Sequence, residues 1–238
     1  METAPDIAWA SAAAAPGAPG PDGLDLWRID LRAGCGGEAL SPEESARAGR
    51  FAFERDRAAY VAAHDGLRRI LARYLGCGPR SLTFAVGEHG KPALADEPAL
   101  RFNLTHAGDA ALVAVASGRA VGVDVEPVRA IPDRDAVAAL HFSAAECAQL
   151  EAAAADARDD AFYAVWTRKE AFIKCRGEGL SLPLSSFSVS LDAPTRLIAC
   201  DGDDPARYAL HAFRPRPGYW AAACAEGPIG AVQYFQFS

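Results

Sequence analysis

Apolar and polar residues alternate with strand-like spacing at several places in the first half of the chain. The first is residues 24–31, which predict a half-buried strand because alternate side chains of a strand point to opposite faces. Ser41 then precedes Pro42 and two glutamates, the usual composition of a helix N-terminus, and helical spacing continues to Leu75 before Gly76. A break near Glu54 divides this stretch into two predicted helices. Further strands are predicted at residues 82–85, 101–105, 110–117 and 120–126.

The second half repeats the order of helices followed by strands. Predicted helices cover residues 133–140, 143–154 and 158–175, and predicted strands cover 187–191, 208–213 and 219–225, with a final apolar segment at 231–237. The fold class is therefore α+β. We expect a flexible Ala-, Pro- and Gly-rich tail over residues 1–22, an N-terminal half over 23–120 and a C-terminal half over 121–238.

Composition excludes several classes of protein. The formal net charge of −7 gives the chain as a whole no tendency to bind nucleic acid or an anionic membrane. No apolar run approaches the roughly 20 residues of a spanning helix, and the N-terminus lacks the pattern of a secretory signal, so we expect a cytoplasmic protein. Six cysteines occur without a C-x-x-C pair, which favours free thiols over disulfides or a zinc site.

Lysine is rare in this chain. The sequence contains 21 arginines and three lysines, which are Lys91, Lys169 and Lys174. Because a compact, strongly hydrated ammonium is not interchangeable with a guanidinium, each lysine is a candidate for a site that needs it, with chance as the alternative.

Residues 121–126, Val-Gly-Val-Asp-Val-Glu, form the sharpest local motif. In a strand, the three valines share one face and Asp124 and Glu126 share the other, with Gly122 leaving open space beside them. Two carboxylates at this spacing repel each other unless a cation lies between them, and oxygen-only ligands suit magnesium. The alternative is a solvated strand face.

A second motif lies on the last helix of the second half. Trp166, Glu170 and Lys174 stand four residues apart and line one helical face. Glu170 can supply a third carboxylate to a metal site and Lys174 can contact phosphate. The alternative, an exposed Glu–Lys pair, is less favoured because two of the three lysines and several aromatic residues occur here.

The third lysine lies in a turn, Gly90-Lys91-Pro92, which precedes the segment Phe102-Asn-Leu-Thr-His106. Thr105 and His106 leave the end of a predicted strand, a position from which a hydroxyl and an imidazole can face a phosphate. By itself, a histidine such as His106 is more often an ordinary polar residue. Taken together, the three motifs predict a site for a divalent ion and a phosphate-rich substrate.

These motifs, in this order, resemble those of the 4'-phosphopantetheinyl transferases of the surfactin-synthetase-activating type. That family has a Gly-Lys-Pro turn, an F-N-x-S-H segment, a G-[IV]-D-[IV]-E strand and a W-x-x-K-E-[AS]-x-x-K helix, and this chain supplies all four, with Thr105 in place of serine. The resemblance implies a monomer of two similar α/β subdomains related by a pseudo-twofold, with the active site in the cleft between them. It also implies Mg²⁺, or Mn²⁺ in its place, with coenzyme A as co-substrate.

The resemblance further implies a reaction. The 4'-phosphopantetheine group of coenzyme A passes to a serine of an apo acyl or peptidyl carrier protein, leaving adenosine 3',5'-bisphosphate. Carriers of polyketide or nonribosomal peptide synthesis are the expected partners. Two alternatives remain, a magnesium-dependent phosphohydrolase and a non-catalytic module that binds carrier protein or coenzyme A.

The family pattern also implies roles for single residues. Asp124, Glu126 and Glu170 are the expected metal ligands, and Lys174 and His106 the expected phosphate contacts. Glu170, or a water on the metal, is the expected base, with Glu146 as the second candidate. The expected coenzyme A contacts also include Lys91, Pro92 and Thr105. Glu44 stands where the family often has a basic residue near the 3'-phosphate, which leaves Arg47 and Arg55 as candidate substitutes.

Overall fold

The structure, a computed structural model, describes residues 7–11, 16–34 and 36–237. Cys35 and part of the predicted tail lie outside the described residues. The elements of the N-terminal half are β1 (Ala10–Ser11), β2 (Leu24–Asp30), α1 (Pro42–Ala48), α2 (Glu54–Leu75), β3 (Phe84–Val86), β4 (Pro92–Leu94), β5 (Leu100–Ala107) and β6 (Ala110–Ser117).

The second half contains three helices and six strands among the described residues. They are β7 (Val121–Pro127), α3 (Arg134–His141), α4 (Ala144–Ala152), α5 (Arg158–Arg176), β8 (Phe187–Val189), β9 (Leu197–Cys200), β10 (Tyr208–Phe213), β11 (Tyr219–Glu226) and β12 (Val232–Phe237). The predicted α+β class is confirmed.

Both halves repeat one order of elements: a strand, two or three helices, a small two-stranded sheet and a final pair of strands. The strands pair in the order β2-β6-β5 in the first half and β7-β11-β10 in the second, so the second strand of each final pair, β6 or β11, lies in the middle. The two halves are therefore similar in topology, as predicted. Strand β12 departs from this repeat, because it crosses to the first half and pairs with β2 in parallel, Val232 opposite Leu24.

Three apolar cores arrange these elements in four layers. Helix α2 packs on one face of the first sheet, and helices α3 to α5 pack on one face of the second. Between them the two sheets face each other over a shared core that includes Leu26, Leu112, Val123 and Ala221. Burial of both sheet faces fixes the relative position of the halves.

Helix boundaries follow local signals in the sequence. Ser41 and Ser143 each accept the N–H of the glutamate three residues later, while that glutamate returns to the serine N–H. The predicted break between the first two helices is real but lies at residues 49–53, before Glu54, because Gly49 ends α1.

The tail prediction requires a correction for residues 7–11. There β1 pairs in parallel with β12, and Trp9 packs edge-on against Tyr234 while its Nε1 donates to the Pro215 carbonyl. These contacts attach the segment to the body of the protein. No helix in the described part of the chain combines the length and apolar character needed to cross a membrane.

Candidate active site

Strand β7 supplies two carboxylates on the face turned toward α5. The three valines of β7 lie in the core shared by the sheets, which leaves Asp124 and Glu126 on the opposite face, as the alternation predicts. The space expected beside Gly122 is absent. A Cβ there would collide with the Ala171 carbonyl and the Cys175 amide of α5, so Gly122 allows the helix to lie directly on the strand.

Three elements meet at the Asp124 carboxylate. Lys174 of α5 places Nζ 2.5 Å from Asp124 Oδ1, and Thr105 of β5 places Oγ1 3.2 Å from the same oxygen. Lys174 Nζ also lies 3.1 Å from Thr105 Oγ1. The contacts bring β5 of the N-terminal half against β7 and α5 of the C-terminal half. Predicted site residues of three separate motifs are therefore gathered at one place between the halves.

The carboxyl groups of this cluster have raised pKa values. Burial raises the pKa of Asp124, against the opposing effect of Lys174. Burial and the neighbouring Asp124 raise the pKa of Glu126 to about 7 and raise that of Glu170 as well. Asp124 thus makes the ionisation of both glutamates unfavourable, which is the electrostatic environment that a bound cation relieves.

Asp124 also has an unsatisfied oxygen. Its Oδ2 is buried and has no hydrogen-bond partner among the described residues. An unpartnered buried carboxylate oxygen is costly, and it fits a role as a ligand to a hard cation, which prefers oxygen donors. No three His, Cys, Asp or Glu side chains of the described residues already lie at metal-binding distance. The Lys174 ammonium forms an ion pair with the other Asp124 oxygen, Oδ1.

His106, Arg55 and Glu126 line one cavity. The cavity measures about 810 Å³ and also includes Asp56 and Arg129. Partial burial and Lys174 lower the pKa of His106, so its imidazole favours the neutral form. Arg47 lies over the ring of Tyr60, with 5.5 Å from its Cζ to the ring centroid. The structure therefore places His106 and Arg55 together in a cavity that Glu126 also lines.

The Gly-Lys-Pro turn lies near Lys174, and both line one cavity. Lys91 and Pro92 line a cavity of about 180 Å³ together with Lys174 and Asn103. The Lys91 ammonium donates to two main-chain carbonyls, Val121 O at 2.8 Å and Cys175 O at 3.2 Å.

Glu146, the second candidate base, forms a buried pair with Lys169 outside this cluster. Glu146 Oε2 lies 2.8 Å from Lys169 Nζ, and Glu146 Oε1 accepts the Val189 N–H. Lys169 also donates to the carbonyls of Leu184 and Phe187. Both side chains are almost fully buried, and every one of these contacts lies within the C-terminal half.

Asn103 has a structural role that the sequence did not indicate. Its Oδ1 accepts the main-chain N–H of Val123 at 2.8 Å, across the boundary between the halves. The signal available in the sequence was its place in the Phe102–His106 motif, where an amide can replace a strand partner.

Comparison with known proteins agrees with this geometry. The model of the 4'-phosphopantetheinyl transferase superfamily matches residues 120–224, and that of the 4'-phosphopantetheinyl transferase N-terminal region matches residues 35–118. A 4'-phosphopantetheinyl transferase of Bacillus subtilis is 34% identical over 192 residues, covering 80% of this chain and 84% of that protein. The chain belongs to the 4'-phosphopantetheinyl transferase superfamily.

Two further relatives have the same description. The 4'-phosphopantetheinyl transferase Sfp of Bacillus subtilis is 33% identical over 79% of this chain and 83% of its own length. The 4'-phosphopantetheinyl transferase HetI of a Nostoc species is 32% identical over 84% of this chain and 92% of its own length. The predicted family and its enzymatic activity, transfer of phosphopantetheine from coenzyme A to carrier proteins, are confirmed. The hydrolase and binding-module alternatives receive no support.

Proposed function

We propose that this transferase moves the 4'-phosphopantetheinyl group to a serine hydroxyl of an apo carrier protein at the Asp124 cluster, with Mg²⁺ held by Asp124, Glu126 and Glu170. The observation that carries the proposal is the buried, unpartnered Oδ2 of Asp124 beside two further carboxylates of raised pKa. Mn²⁺ has the same preference for oxygen donors and is expected to substitute.

Lys174 is the residue proposed to bind the coenzyme A pyrophosphate. Its ammonium is part-buried beside Asp124 and lies at the rim of the cavity that contains the Gly-Lys-Pro turn. With a metal held by Asp124, Lys174 would be available to a phosphate oxygen, with Thr105 as a neighbouring hydroxyl donor. His106 and Arg55 supply further donors from the adjacent cavity. The main chain of the turn at Lys91 and Pro92 and the side chain of Arg47 are the candidates for the nucleotide end.

Glu170 is the proposed base. Burial and Asp124 raise its pKa, which makes its carboxylate a better proton acceptor. In the proposed reaction the serine oxygen forms a bond to the β-phosphorus of coenzyme A as the bond to adenosine 3',5'-bisphosphate breaks, and Glu170 receives the serine proton. The bound metal supplies positive charge that stabilises the phosphate oxygens in the transition state.

We extend the proposal to a monomeric, cytoplasmic enzyme that serves polyketide or nonribosomal peptide synthesis. Support for a reducing compartment comes from the five described cysteines, all of which are free thiols: Cys77, Cys147, Cys175, Cys200 and Cys224. Support for a monomer comes from the cluster itself, which one chain completes with residues of both halves.

Intact-protein mass spectrometry tests the proposed function. Apo carriers of fatty acid, polyketide and peptide synthesis are incubated with the enzyme, coenzyme A and Mg²⁺, with and without EDTA. We expect a mass gain of one phosphopantetheine that is lost with EDTA, with the Asp124→Asn enzyme, or when the carrier serine is replaced by alanine. Full transfer by Asp124→Asn, or transfer unaffected by EDTA, would contradict the proposed metal site.

A further inference from the structure

Strand β7 is an outer strand of its sheet, so half of its main-chain polar groups face away from β11. In an antiparallel pair, alternate residues direct both N–H and C=O toward the neighbouring strand. The Ala120 carbonyl accepts the main-chain N–H of Glu226, the last residue of β11. By the alternation, the main-chain groups of Val121 and Val123 therefore face away from β11. Both residues are fully buried, so these groups need partners within the protein.

Two side chains of the N-terminal half supply a partner for one main-chain group of each residue. Lys91 Nζ donates to Val121 O at 2.8 Å, and Asn103 Oδ1 accepts from Val123 N at 2.8 Å. Lys91 Nζ also donates to the main-chain carbonyl of Cys175, which is the residue after Lys174 on α5. One ammonium thus joins the Gly-Lys-Pro turn to the start of β7 and to the last turn of α5.

These two elements carry the proposed metal and phosphate ligands. Val123 directly precedes Asp124, and Cys175 directly follows Lys174. A shift of the β7 edge or of the α5 terminus would therefore displace the Asp124–Lys174 pair, whose atoms lie 2.5 Å apart. Displacement of reacting groups by about 1 Å can lower rates by about 100-fold.

We propose that Lys91 and Asn103 are positioning residues that fix the outer edge of β7 and the end of α5, and that the Lys91 ammonium acts on the main chain instead of binding coenzyme A. Lys91 is half-buried, and its ammonium donates to one main-chain carbonyl of β7 and one of α5. The inference rests on the proposed function only in its kinetic test, because the hydrogen bonds themselves can be measured without substrate.

Hydrogen exchange of the metal-free full-length chain tests the structural part. In Asn103→Leu we expect the Val123 amide to exchange at least about 10-fold faster, while the Asp124 amide, which faces β11, stays protected. Asn103→Asp retains an acceptor oxygen and should keep Val123 protected. An unchanged Val123 amide in Asn103→Leu would overturn the proposal.

Steady-state kinetics test the functional part. For Lys91→Met and Asn103→Leu we expect kcat to fall about 10- to 100-fold. The Mg²⁺ concentration that gives half-maximal activity should rise, and the KM for coenzyme A should change less than about twofold. Lys91→Arg should restore part of kcat. Arg101→Met is the matched control. Arg101 is an exposed cation that lines a separate cavity of about 500 Å³ together with Lys91, and its removal leaves both β7 contacts in place.

A different result would overturn the inference. If KM for coenzyme A rose about 10-fold in Lys91→Met with kcat unchanged, the lysine would be a ligand to coenzyme A. If Lys91→Met gave no folded protein, Asn103→Leu and Asn103→Asp would decide the question. Failure of the wild-type enzyme to transfer phosphopantetheine would contradict the proposed function, yet the exchange rates of Val123 would still report on the positioning contacts.

Discussion

At the scale of single residues, the Glu126 carboxyl links the site to stability. Burial and Asp124 raise its pKa from 4.5 to about 7. Between these values the folded protein binds more protons than the unfolded chain, so the free energy of unfolding decreases as pH rises. We therefore predict that the metal-free enzyme is less stable at pH 8 than at pH 5 through this group.

The effect should be on the order of 1 kcal/mol, or about 2–4 °C in Tm, because the side chain is partly exposed and solvent screens it. Thermal unfolding in EDTA at both pH values measures it. Glu126→Gln is the matched control, since it cannot titrate and should lose this part of the pH dependence. An identical slope in the wild type and Glu126→Gln would show that Glu126 titrates normally.

The three lysines show how far single residues can be interpreted from sequence. Their rarity correctly marked them as unusual, and Lys174 does meet Asp124. Lys169, however, pairs with Glu146 inside the C-terminal half, and Lys91 binds main-chain carbonyls. Local spacing defines which residues share a face, but burial and partners depend on elements distant in the chain, which no local pattern contains.

At the scale of elements, Glu146 and Lys169 connect α4, α5 and the segment before β8. The two side chains are buried, and their remaining hydrogen bonds go to Val189, Leu184 and Phe187. Removing one partner of such a pair leaves the other charge buried and uncompensated.

We therefore predict that Glu146→Gln lowers the free energy of unfolding by about 3 kcal/mol. The folded fraction should keep its kcat, since the hydrogen bonds of the pair go to Leu184, Phe187 and Val189 and to none of the described residues of the Asp124 cluster. Urea unfolding and single-temperature kinetics measure the two effects, and Glu151→Gln, on the exposed side of α4, is the control. A large loss of kcat with normal stability would restore Glu146 as a catalytic candidate.

Helix ends were predictable from sequence because their causes are local. The serine caps, Pro42 and the terminal glycines act within a few residues of each boundary. Strand pairing was not predictable in the same way. The segment at 231–237 was identified as apolar, but only the structure pairs it with β2 of the other half. The short strands β4 and β9 were missed because three or four residues give too weak a period.

At the scale of the whole molecule, the two halves share a topology but not an independent interior. The core between the sheets draws Leu24 and Leu26 from β2, Leu112 from β6, and Val123 and Ala221 from the second half. All are almost fully buried only because the sheets face each other. Separation of the halves would expose this apolar layer on both, and would also remove β12 from its partner β2.

We accordingly predict that residues 1–120 and 121–238, expressed separately, do not fold, whereas the two fragments produced together form a folded, active complex. Amide chemical-shift dispersion in NMR spectra and transfer activity measure the outcome. The valines of β7 give the reason, since in the fragment 121–238 they would line an open sheet face instead of a core. A well-dispersed spectrum from 121–238 alone would show that the second half is a self-sufficient domain, and that the shared core contributes to assembly of the site but not to folding of its carboxylate-bearing strand.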